Sequence, residues 1–241
     1  MADEFTGKAN VYDKARPGYC SAALDFILAT CGGAPRFASA ADIGAGTGKL
    51  TRPLLERFGL VYAVEPNEDM RSLLPARENL RVLDGTAEAT GLPDCSVDIV
   101  TCAQAFHWFD GEKFKQECRR ILKPSGRVFV LYNGPGPNYR RHDELIWHRE
   151  GPRDGSGAAW LERETNLRKF FDEKLSRTAF PNPVFYDAQG WMDYMLSHSQ
   201  SPRPGDEIYA RFIESVRLIF ERNHENEKLR MDFETVVYTN L

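Results

Sequence analysis

Apolar runs alternate with amphipathic segments along the first half of the chain. Short apolar runs predict strands at 37–43, 60–65, 80–83, 97–102 and 127–132. Between them, apolar residues three and four positions apart predict helices, as with Leu24, Ile27 and Leu28 before the first strand. Strands that alternate with helices of this length form a parallel sheet with right-handed crossovers. The pattern therefore predicts an α/β fold with helices on both faces of the sheet.

The alternation of short apolar runs and amphipathic segments changes beyond Pro137. Residues 138–177 are polar and rich in arginine and aromatic side chains, and they predict mainly helices. After these residues the sequence predicts a strand at 178–186, a helical stretch at 191–196, an amphipathic helix over 208–220 and an alternating strand at 233–238.

Three residues or segments of the first half mark helix boundaries. We expect Pro53 to make its helix begin late or bend, because proline lacks a backbone donor. Asn67 is the predicted N-cap of the next helix, and 123–126 is the predicted stop before the fifth strand.

Composition narrows the classes of function. The net charge of −4 gives no basic footprint for nucleic acid. No apolar run approaches the ~20 residues that span a bilayer, and 1–10 lacks the features of a secretory signal. The five cysteines form no Cys-x-x-Cys pair, which favours a reduced, cytoplasmic protein. The five histidines show no metal-ligand spacing, so we expect no metal.

The most informative segment is a glycine-rich turn between the first strand and the next helix. Gly44, Gly46 and Gly48 alternate there, and Glu65 closes the second strand. Glycines let a ligand approach the backbone closely, and an acid at the second strand end accepts hydrogen bonds from ribose hydroxyls. A dinucleotide fingerprint would need its third glycine at position 49, which is Lys49. We infer a nucleoside-bearing cofactor, with a nicotinamide enzyme as the remaining alternative.

The Gly-x-Gly-x-Gly segment at 42–48 resembles the first motif of the class I S-adenosylmethionine-dependent methyltransferases. Residues 12–19, 84–88, 102–109 and 191–199 resemble further segments of its small-molecule branch, which includes the methyltransferase type 11 and trans-aconitate methyltransferase groups. The resemblance implies a Rossmann-like, seven-stranded, mostly parallel sheet whose last strand is antiparallel, with helical lid insertions. It implies one domain, comprising a cofactor-covering segment (1–36), a cofactor-binding core (37–137), lid insertions with the sixth strand (138–232) and a last strand (233–241).

The resemblance also implies the site residues. The cofactor, S-adenosylmethionine, would contact Tyr12, Arg16, Asp42, Gly44, Ala45, Gly46, Gly48, Glu65, Pro66, Met70, Thr86, Ala87, Glu88, Ala103 and Gln104. Thr86 stands where relatives often carry an acid that accepts from the adenine amine, so its side-chain contact departs from the pattern. Substrate contacts are assigned to Trp108, Trp191, Tyr194 and Ser197.

Two interpretations of His107 stay open. It is either a catalytic base, because its pKa range suits proton transfer, or packing beneath the lid. Likewise, Arg140, Arg141, Arg149 and Arg153 either bind an acidic acceptor or form a solvated face.

We expect O-methylation of an acidic or phenolic small molecule. The alternatives are an N- or C-methyltransferase of another metabolite and a non-catalytic regulator that binds S-adenosylmethionine. The sequence gives no indication of oligomeric state.

Overall fold

A computed structural model describes residues 16–30, 38–136, 154–198 and 201–240, with side chains from Glu162 onward in the third range. Within these ranges, seven strands form one sheet in the order β3-β2-β1-β4-β5-β7-β6. The strands are β1 (Ser39–Ile43), β2 (Leu60–Val64), β3 (Leu80–Leu83), β4 (Val97–Ala103), β5 (Leu122–Pro135), β6 (Ser176–Tyr186) and β7 (Leu229–Thr239).

The first five strands pair in parallel, and β7 is antiparallel to both of its neighbours. The sheet confirms the predicted fold class, including the antiparallel last strand. The helices are α1 (Ser21–Ala29), α2 (Thr51–Leu55), α3 (Glu68–Arg71), α4 (Gly111–Ile121), α5 (Asp154–Phe170), α6 (Ala188–Leu196) and α7 (Tyr209–Asn223), with a 3-10 turn at Phe106–Trp108.

Alternate strand residues send their side chains to opposite faces, and each face is buried by different helices. Ile99 and Leu131 pack with α1 and α2, whereas Val100, Cys102 and Val130 pack with α4 and α5. A third cluster joins α6 and α7 to the ends of β6 and β7. The division into segments at 36, 137 and 232 is untested by this architecture and stays a prediction.

Local sequence signals explain two boundaries. The α2 helix begins at Thr51, two residues later than the apolar periodicity suggests, and Pro53 falls in its first turn. There a missing backbone N–H is tolerated, because the first four N–H groups of a helix have no partner within it. Asn67 caps α3 as predicted, accepting a 3.0 Å hydrogen bond from the Met70 N–H.

The predicted stop at 123–126 lies within β5 rather than before it. Leu122 already pairs with Val97, and the next pair joins Arg127 to Ile99. The four intervening residues therefore form a large bulge, in which the expected turn is absorbed into the strand.

Candidate functional site

A cleft of about 570 Å³ opens at the carboxyl ends of the parallel strands, where ligands bind in open α/β sheets. It is lined by sixteen of the predicted site residues: Arg16, Asp42, Gly44, Ala45, Gly46, Glu65, Pro66, Met70, Thr86, Ala87, Glu88, Ala103, Gln104, His107, Trp108 and Tyr194. The segments that carry them are up to about 180 residues apart, so the fold alone brings them together.

The glycine-rich turn runs along the cleft wall in the left-handed backbone region that glycine tolerates. Gly44 has φ +68° and Gly46 has φ +56°. A Cβ on Gly44 would lie 2.7 Å from the Cβ of Ala105, so this turn packs directly against the segment that follows β4. A Cβ on Gly46 would meet only the Met70 sulfur, at 3.8 Å. Gly44 is thus needed for packing, and Gly46 leaves backbone open to a ligand.

Glu65 is fixed beside this turn by two backbone donors. One carboxylate oxygen accepts from the Gly46 N–H at 2.8 Å, and the other accepts from the Asn67 N–H at 2.9 Å. The residue is only 6% exposed. Burial raises its pKa, against the lowering effect of those two hydrogen bonds. Glu65 also lines the cleft, and a carboxylate has further lone pairs that can accept from the hydroxyls of a ligand such as a ribose.

Asp42 lies at the end of β1 and is 1% exposed, yet it lines the cleft. Its oxygens accept from the hydroxyls of Thr51 at 2.7 Å and Thr101 at 3.2 Å. Burial raises the pKa of Asp42 to about 7, although the two hydroxyl bonds lower it. A cation placed in this part of the cleft would offset the burial of the carboxylate.

The end of β4 has a backbone that non-glycine residues rarely adopt. Gln104 has φ +57°, and it is held there by hydrogen bonds from its N–H to the Leu131 carbonyl and from its side chain to the Asn133 carbonyl, both 2.9 Å. Such conformations concentrate at ligand sites, where the surrounding structure enforces them. The conformation of Gln104 turns the chain so that His107 and Trp108 face the cleft.

The His107 ring lies between two aromatic neighbours. Its centroid is 4.7 Å from that of Trp108 and 6.2 Å from that of Tyr132, and its Nδ1 is 3.5 Å from the Tyr132 hydroxyl. The ring is reached by solvent through the cleft, but the surrounding protein still desolvates it. Desolvation, with the nearby positive charge of Arg163, lowers the pKa of His107 to about 4. The imidazole is therefore neutral at pH 7, and it is a weak proton acceptor.

The N-terminal segment meets the α6 region across the cleft. The Arg16 guanidinium lies 5.6 Å from the centre of the Tyr194 ring and donates to the Ser197 carbonyl at 3.3 Å. Asn133, at the end of β5, donates to the carbonyls of Pro17 and Gly18. These contacts seat residues 16–18 against the cleft.

Three predicted residues are not on the cleft wall. Gly48 packs towards Leu74, whose Cδ2 would lie 2.8 Å from an added Cβ. Trp191 is fully buried and donates to the Val216 carbonyl. The Ser197 side chain is directed inward, with its hydroxyl donating to the Tyr194 carbonyl. The arrangement gives the substrate contacts assigned to Trp191 and Ser197 no support.

The structure does not describe five of the candidate residues that the sequence analysis names. Tyr12 and the four arginines Arg140, Arg141, Arg149 and Arg153 lie outside the described residues. Their roles stay predictions.

The cleft wall also includes eleven residues that the sequence did not predict: Pro17, Tyr19, Thr47, Lys49, Leu50, Asn67, Ala105, Phe109, Asn133, Arg163 and Phe233. Several adjoin predicted motifs, and their position beside a strand end is the signal that points to them. Arg163 has no such signal, because it comes from α5 and reaches the cleft only through tertiary packing.

A second cavity of about 480 Å³ lies against the first. It opens between the start of α4 and α5, and it shares His107, Phe109 and Arg163 with the main cleft. We refer to it as the side cavity.

Among the described residues, no cluster of three or more His, Cys, Asp or Glu side chains suits a metal ion. Across those same ranges, no helix has the length and apolar character to cross a bilayer.

Comparison with known proteins gives this cleft a context. Residues 41–130, which carry the glycine turn, Glu65 and the β4 segment, match a family model described as a methyltransferase domain. This part of the chain is therefore similar to a methyltransferase domain, in agreement with the family predicted from the motifs. S-adenosylmethionine as the cofactor of this chain belongs to the proposal below. The comparisons do not bear on the trans-aconitate branch, which stays a prediction.

Named relatives agree with this assignment. An uncharacterized methyltransferase of Mycobacterium tuberculosis is 38% identical over 151 residues, which cover 62% of this chain and 58% of the relative. The uncharacterized methyltransferase YcgJ of Bacillus subtilis is 34% identical over 136 residues, or 54% of this chain and 52% of the relative. The chain thus matches between half and three fifths of the length of these relatives.

Solved structures show the same fold over most of the chain. A candidate type II methyltransferase from Anaeromyxobacter dehalogenans aligns with a TM-score of 0.66 and 22% identity, covering 93% of this chain and 97% of that one. The B. subtilis YcgJ structure aligns with a TM-score of 0.55 and 19% identity, covering 91% and 97%. At these identities the likeness shows the fold alone.

Proposed function

We propose that this chain is an S-adenosylmethionine-dependent O-methyltransferase that acts on an acidic or phenolic small molecule. The observation that carries the proposal is Glu65, whose carboxylate is fixed by two backbone N–H groups beside an open glycine turn. Both features point into one cleft. A carboxylate next to exposed backbone suits an adenosyl group, with its ribose diol at one end and its charged methionine portion at the other.

The chain's own groups suit each part of that cofactor. Glu65 would accept from the ribose hydroxyls, and the buried Asp42 would accept from the ammonium group. The Arg16 guanidinium, already seated on Tyr194, would bind the methionine carboxylate. Met70 and Ala87, both on the cleft wall, would contact the adenine. These roles remain part of the proposal.

When bound, S-adenosylmethionine would supply a methyl group on a positively charged sulfonium, which is a good leaving group. The acceptor oxygen would donate a lone pair to the methyl carbon, and the electron pair of the broken carbon–sulfur bond would stay on sulfur to give S-adenosylhomocysteine. The contribution of the protein is alignment of the reacting atoms, worth up to about 7–11 kcal/mol in ideal cases, and the exclusion of water.

The environment of His107 favours an acceptor that needs no base. A carboxylate reacts without losing a proton, whereas a phenol must release one at pH 7. With a pKa of about 4, the His107 imidazole is poorly matched to a phenol of pKa about 10. We therefore place the acidic acceptor ahead of the phenolic one.

The test is transfer of a labelled methyl group from S-adenosylmethionine into a small-molecule extract, followed by mass spectrometry of the product. An ester or ether product supports the proposal, whereas methyl on nitrogen or carbon supports the other enzyme class. Glu65→Gln should lower the rate of transfer at limiting S-adenosylmethionine by about 10- to 100-fold. Glu68→Gln, which replaces an exposed acid three residues away, should leave that rate unchanged.

Calorimetry with S-adenosylhomocysteine separates the remaining alternatives. Binding without any transfer indicates a regulator. An absence of heat with either cofactor form would contradict cofactor binding itself. The cytoplasmic location rests on cysteine usage and stays a prediction.

A further inference from the structure

Three polar side chains meet on one face of the sheet, where β5, β7 and β6 run side by side. Thr235 of β7 is the cross-strand partner of Asn133 on β5. Asn182 of β6 lies two residues from Phe180, the partner of Thr235 on that strand. Residues that pair directly, or lie two apart on one strand, share a face of the sheet. We call Asn133, Thr235 and Asn182 the latch.

Hydrogen bonds join the latch residues to one another. The Thr235 hydroxyl donates to Oδ1 of Asn133 at 2.7 Å. The Asn182 side-chain amide donates to the same Oδ1 at 3.3 Å and to the Thr235 hydroxyl oxygen at 3.2 Å. Thr235 is fully buried, so a partner that loses its hydroxyl is left without that bond inside the protein, which is costly. The three side chains therefore act as one connected unit.

The latch holds residues 16–20, which we call the strap, through two backbone carbonyls. The Asn133 amide donates to the carbonyls of Pro17 at 3.3 Å and of Gly18 at 3.0 Å. The Asn182 amide donates to the Gly18 carbonyl at 2.8 Å. Both asparagines thus converge on one carbonyl, which uses both of its lone pairs. The strap is bound here by side chains rather than by strand pairing.

The strap is also fixed where it enters α1. The N–H of Cys20, the N-cap of α1, donates to the Thr235 hydroxyl oxygen at 3.5 Å. Within α1, the Phe26 ring lies 5.6 Å from the ring of Phe180. The helix therefore packs on the same face of the sheet as the latch, and all three latch residues hold the strap.

The latch reaches the cleft through Asn133. Its backbone carbonyl accepts from the Gln104 side chain at 2.9 Å, and Pro17, Asn133 and Gln104 all line the cleft. In the sheet, β1 and β4 separate β5 from β2, and Glu65 follows β2. The strap therefore bounds the cleft at the end away from Glu65.

We propose that Thr235 and Asn182 are positioning residues for the cofactor, because they seat the strap that closes the methionine end of the cleft. The inference rests on the proposed function, in which Glu65 binds the ribose at the opposite end. The adenosyl half of the cofactor would then lie beyond the strap, and the amino-acid half beside it. Neither Thr235 nor Asn182 is among the described lining residues. Loosening the latch should therefore act indirectly, and on the amino-acid half alone.

The experiment compares two ligands that share the adenosyl group. S-adenosylhomocysteine carries an amino-acid portion, whereas methylthioadenosine carries a methyl group in its place. Thr235→Val removes the hydroxyl and keeps the shape of the side chain. We expect it to raise the calorimetric Kd for S-adenosylhomocysteine by about 3- to 10-fold and to leave the Kd for methylthioadenosine within about twofold. Thr235→Ser, which keeps a hydroxyl, should restore most of the affinity.

A matched control and a second latch variant accompany this pair. Thr239→Val makes the same substitution on the same strand, at a buried hydroxyl that has no hydrogen-bond partner among the described residues, and should leave both Kd values unchanged. Asn182→Ala removes a donor to Gly18 and should reproduce the effect of Thr235→Val. Asn182 is only partly buried, so this variant still decides the question should Thr235→Val fail to fold.

Hydrogen–deuterium exchange of the cofactor-free protein tests the latch without any ligand. Asn182 bonds to Gly18, whereas the Cys20 N–H bonds to Thr235. If the latch and strap open as a unit, Asn182→Ala should speed exchange of the Cys20 amide by about 3- to 10-fold. Thr239→Val should not change it. Exchange at Cys20 that matches the wild type in Asn182→Ala would overturn the inference.

Failure of this inference is distinguishable from failure of the proposed function. The proposed function fails when the wild-type chain binds neither ligand, and the cofactor role of the latch fails with it. The inference alone is overturned when the wild type binds S-adenosylhomocysteine and the latch variants weaken both ligands equally, or weaken neither. A uniform loss would indicate general damage to the fold, because the adenosyl half lies away from the strap.

Discussion

Replacing Asp42 with asparagine tests the site most directly, because it removes a buried charge and keeps the shape of the side chain. Thr51 and Thr101 donate to Asp42 through hydroxyl groups, which also accept hydrogen bonds. Asparagine can therefore be satisfied in the same place. The substitution should isolate the effect of ionisation.

The magnitude follows from the raised pKa of Asp42. Its ordinary value is 3.8, and burial raises it to about 7 in the folded chain. The folded state thus holds a proton that the unfolded state has lost between these two values. Stability from this group is complete below pH 3.8 and declines as pH rises towards 7. A separation of about three units corresponds to roughly 4 kcal/mol in the cofactor-free protein.

The assay is urea unfolding of the cofactor-free protein at several pH values between 4 and 8. The free energy of unfolding of the wild type should fall relative to that of Asp42→Asn by up to about 4 kcal/mol across this range. Asp69→Asn, which replaces an exposed acid, should track the wild type. A difference between wild type and Asp42→Asn that does not vary with pH would refute the reasoning.

The affinity for the cofactor should depend on pH in the opposite direction to the stability of the cofactor-free protein, because it should rise as pH rises. An ammonium group beside Asp42 favours the ionised carboxylate, so binding of S-adenosylhomocysteine at pH 7 should release about half a proton. Only about one molecule in a hundred is ionised at pH 5, so the affinity there should be roughly 50-fold weaker than at pH 7. Calorimetry in buffers of different ionisation enthalpy measures both effects. Asp42→Asn should bind more weakly and show neither.

Three further perturbations address the turn, the ribose acid and the imidazole. Glu65→Gln should weaken S-adenosylhomocysteine binding by about 10- to 100-fold, because two backbone donors lose a charged acceptor; an unchanged calorimetric Kd would contradict this role. Gly44→Ala should lower the free energy of unfolding by about 1–3 kcal/mol, measured in urea. Gly91→Ala, which has a similar φ but open space, should lose only about 1 kcal/mol. His107→Gln should keep kcat for an acidic acceptor within about threefold, whereas a loss of about 100-fold or more would identify a base.

The half of the site that we propose holds the cofactor could be predicted because its residues lie within local patterns. Gly44 and Gly46 are found by their alternating spacing, and Glu65 is found because it follows an apolar run. A strand end followed by glycine or an acid is a short-range signal, and a parallel sheet then places such ends side by side. The positive φ values of the glycines and the contact between Gly46 and Glu65 both follow from that logic.

The rest of the cleft could not be predicted in the same way, because tertiary packing assembles it. Trp191 resembles a lid residue in sequence, yet it is buried in the interior against α7. Arg163 is one charged residue in a polar helix with no distinguishing pattern, and only the packing of α5 over β5 brings it to the cleft. Asn133 ends a strand as Glu65 does, but its side chain binds the backbone of residues 17 and 18, a partner more than 100 positions away.

Asp42 and Glu65 are buried carboxylates whose pKa values burial raises, so their burial carries an electrostatic cost in the cofactor-free protein. A cationic group beside them relieves that cost, and a ligand that binds only the folded chain stabilises it according to the ratio of its concentration to its Kd. At one fixed concentration of S-adenosylhomocysteine, the rise in Tm should therefore be smaller for Asp42→Asn than for the wild type. Thermal unfolding at pH 7 measures this difference, and equal rises would show that the charge of Asp42 contributes nothing to binding.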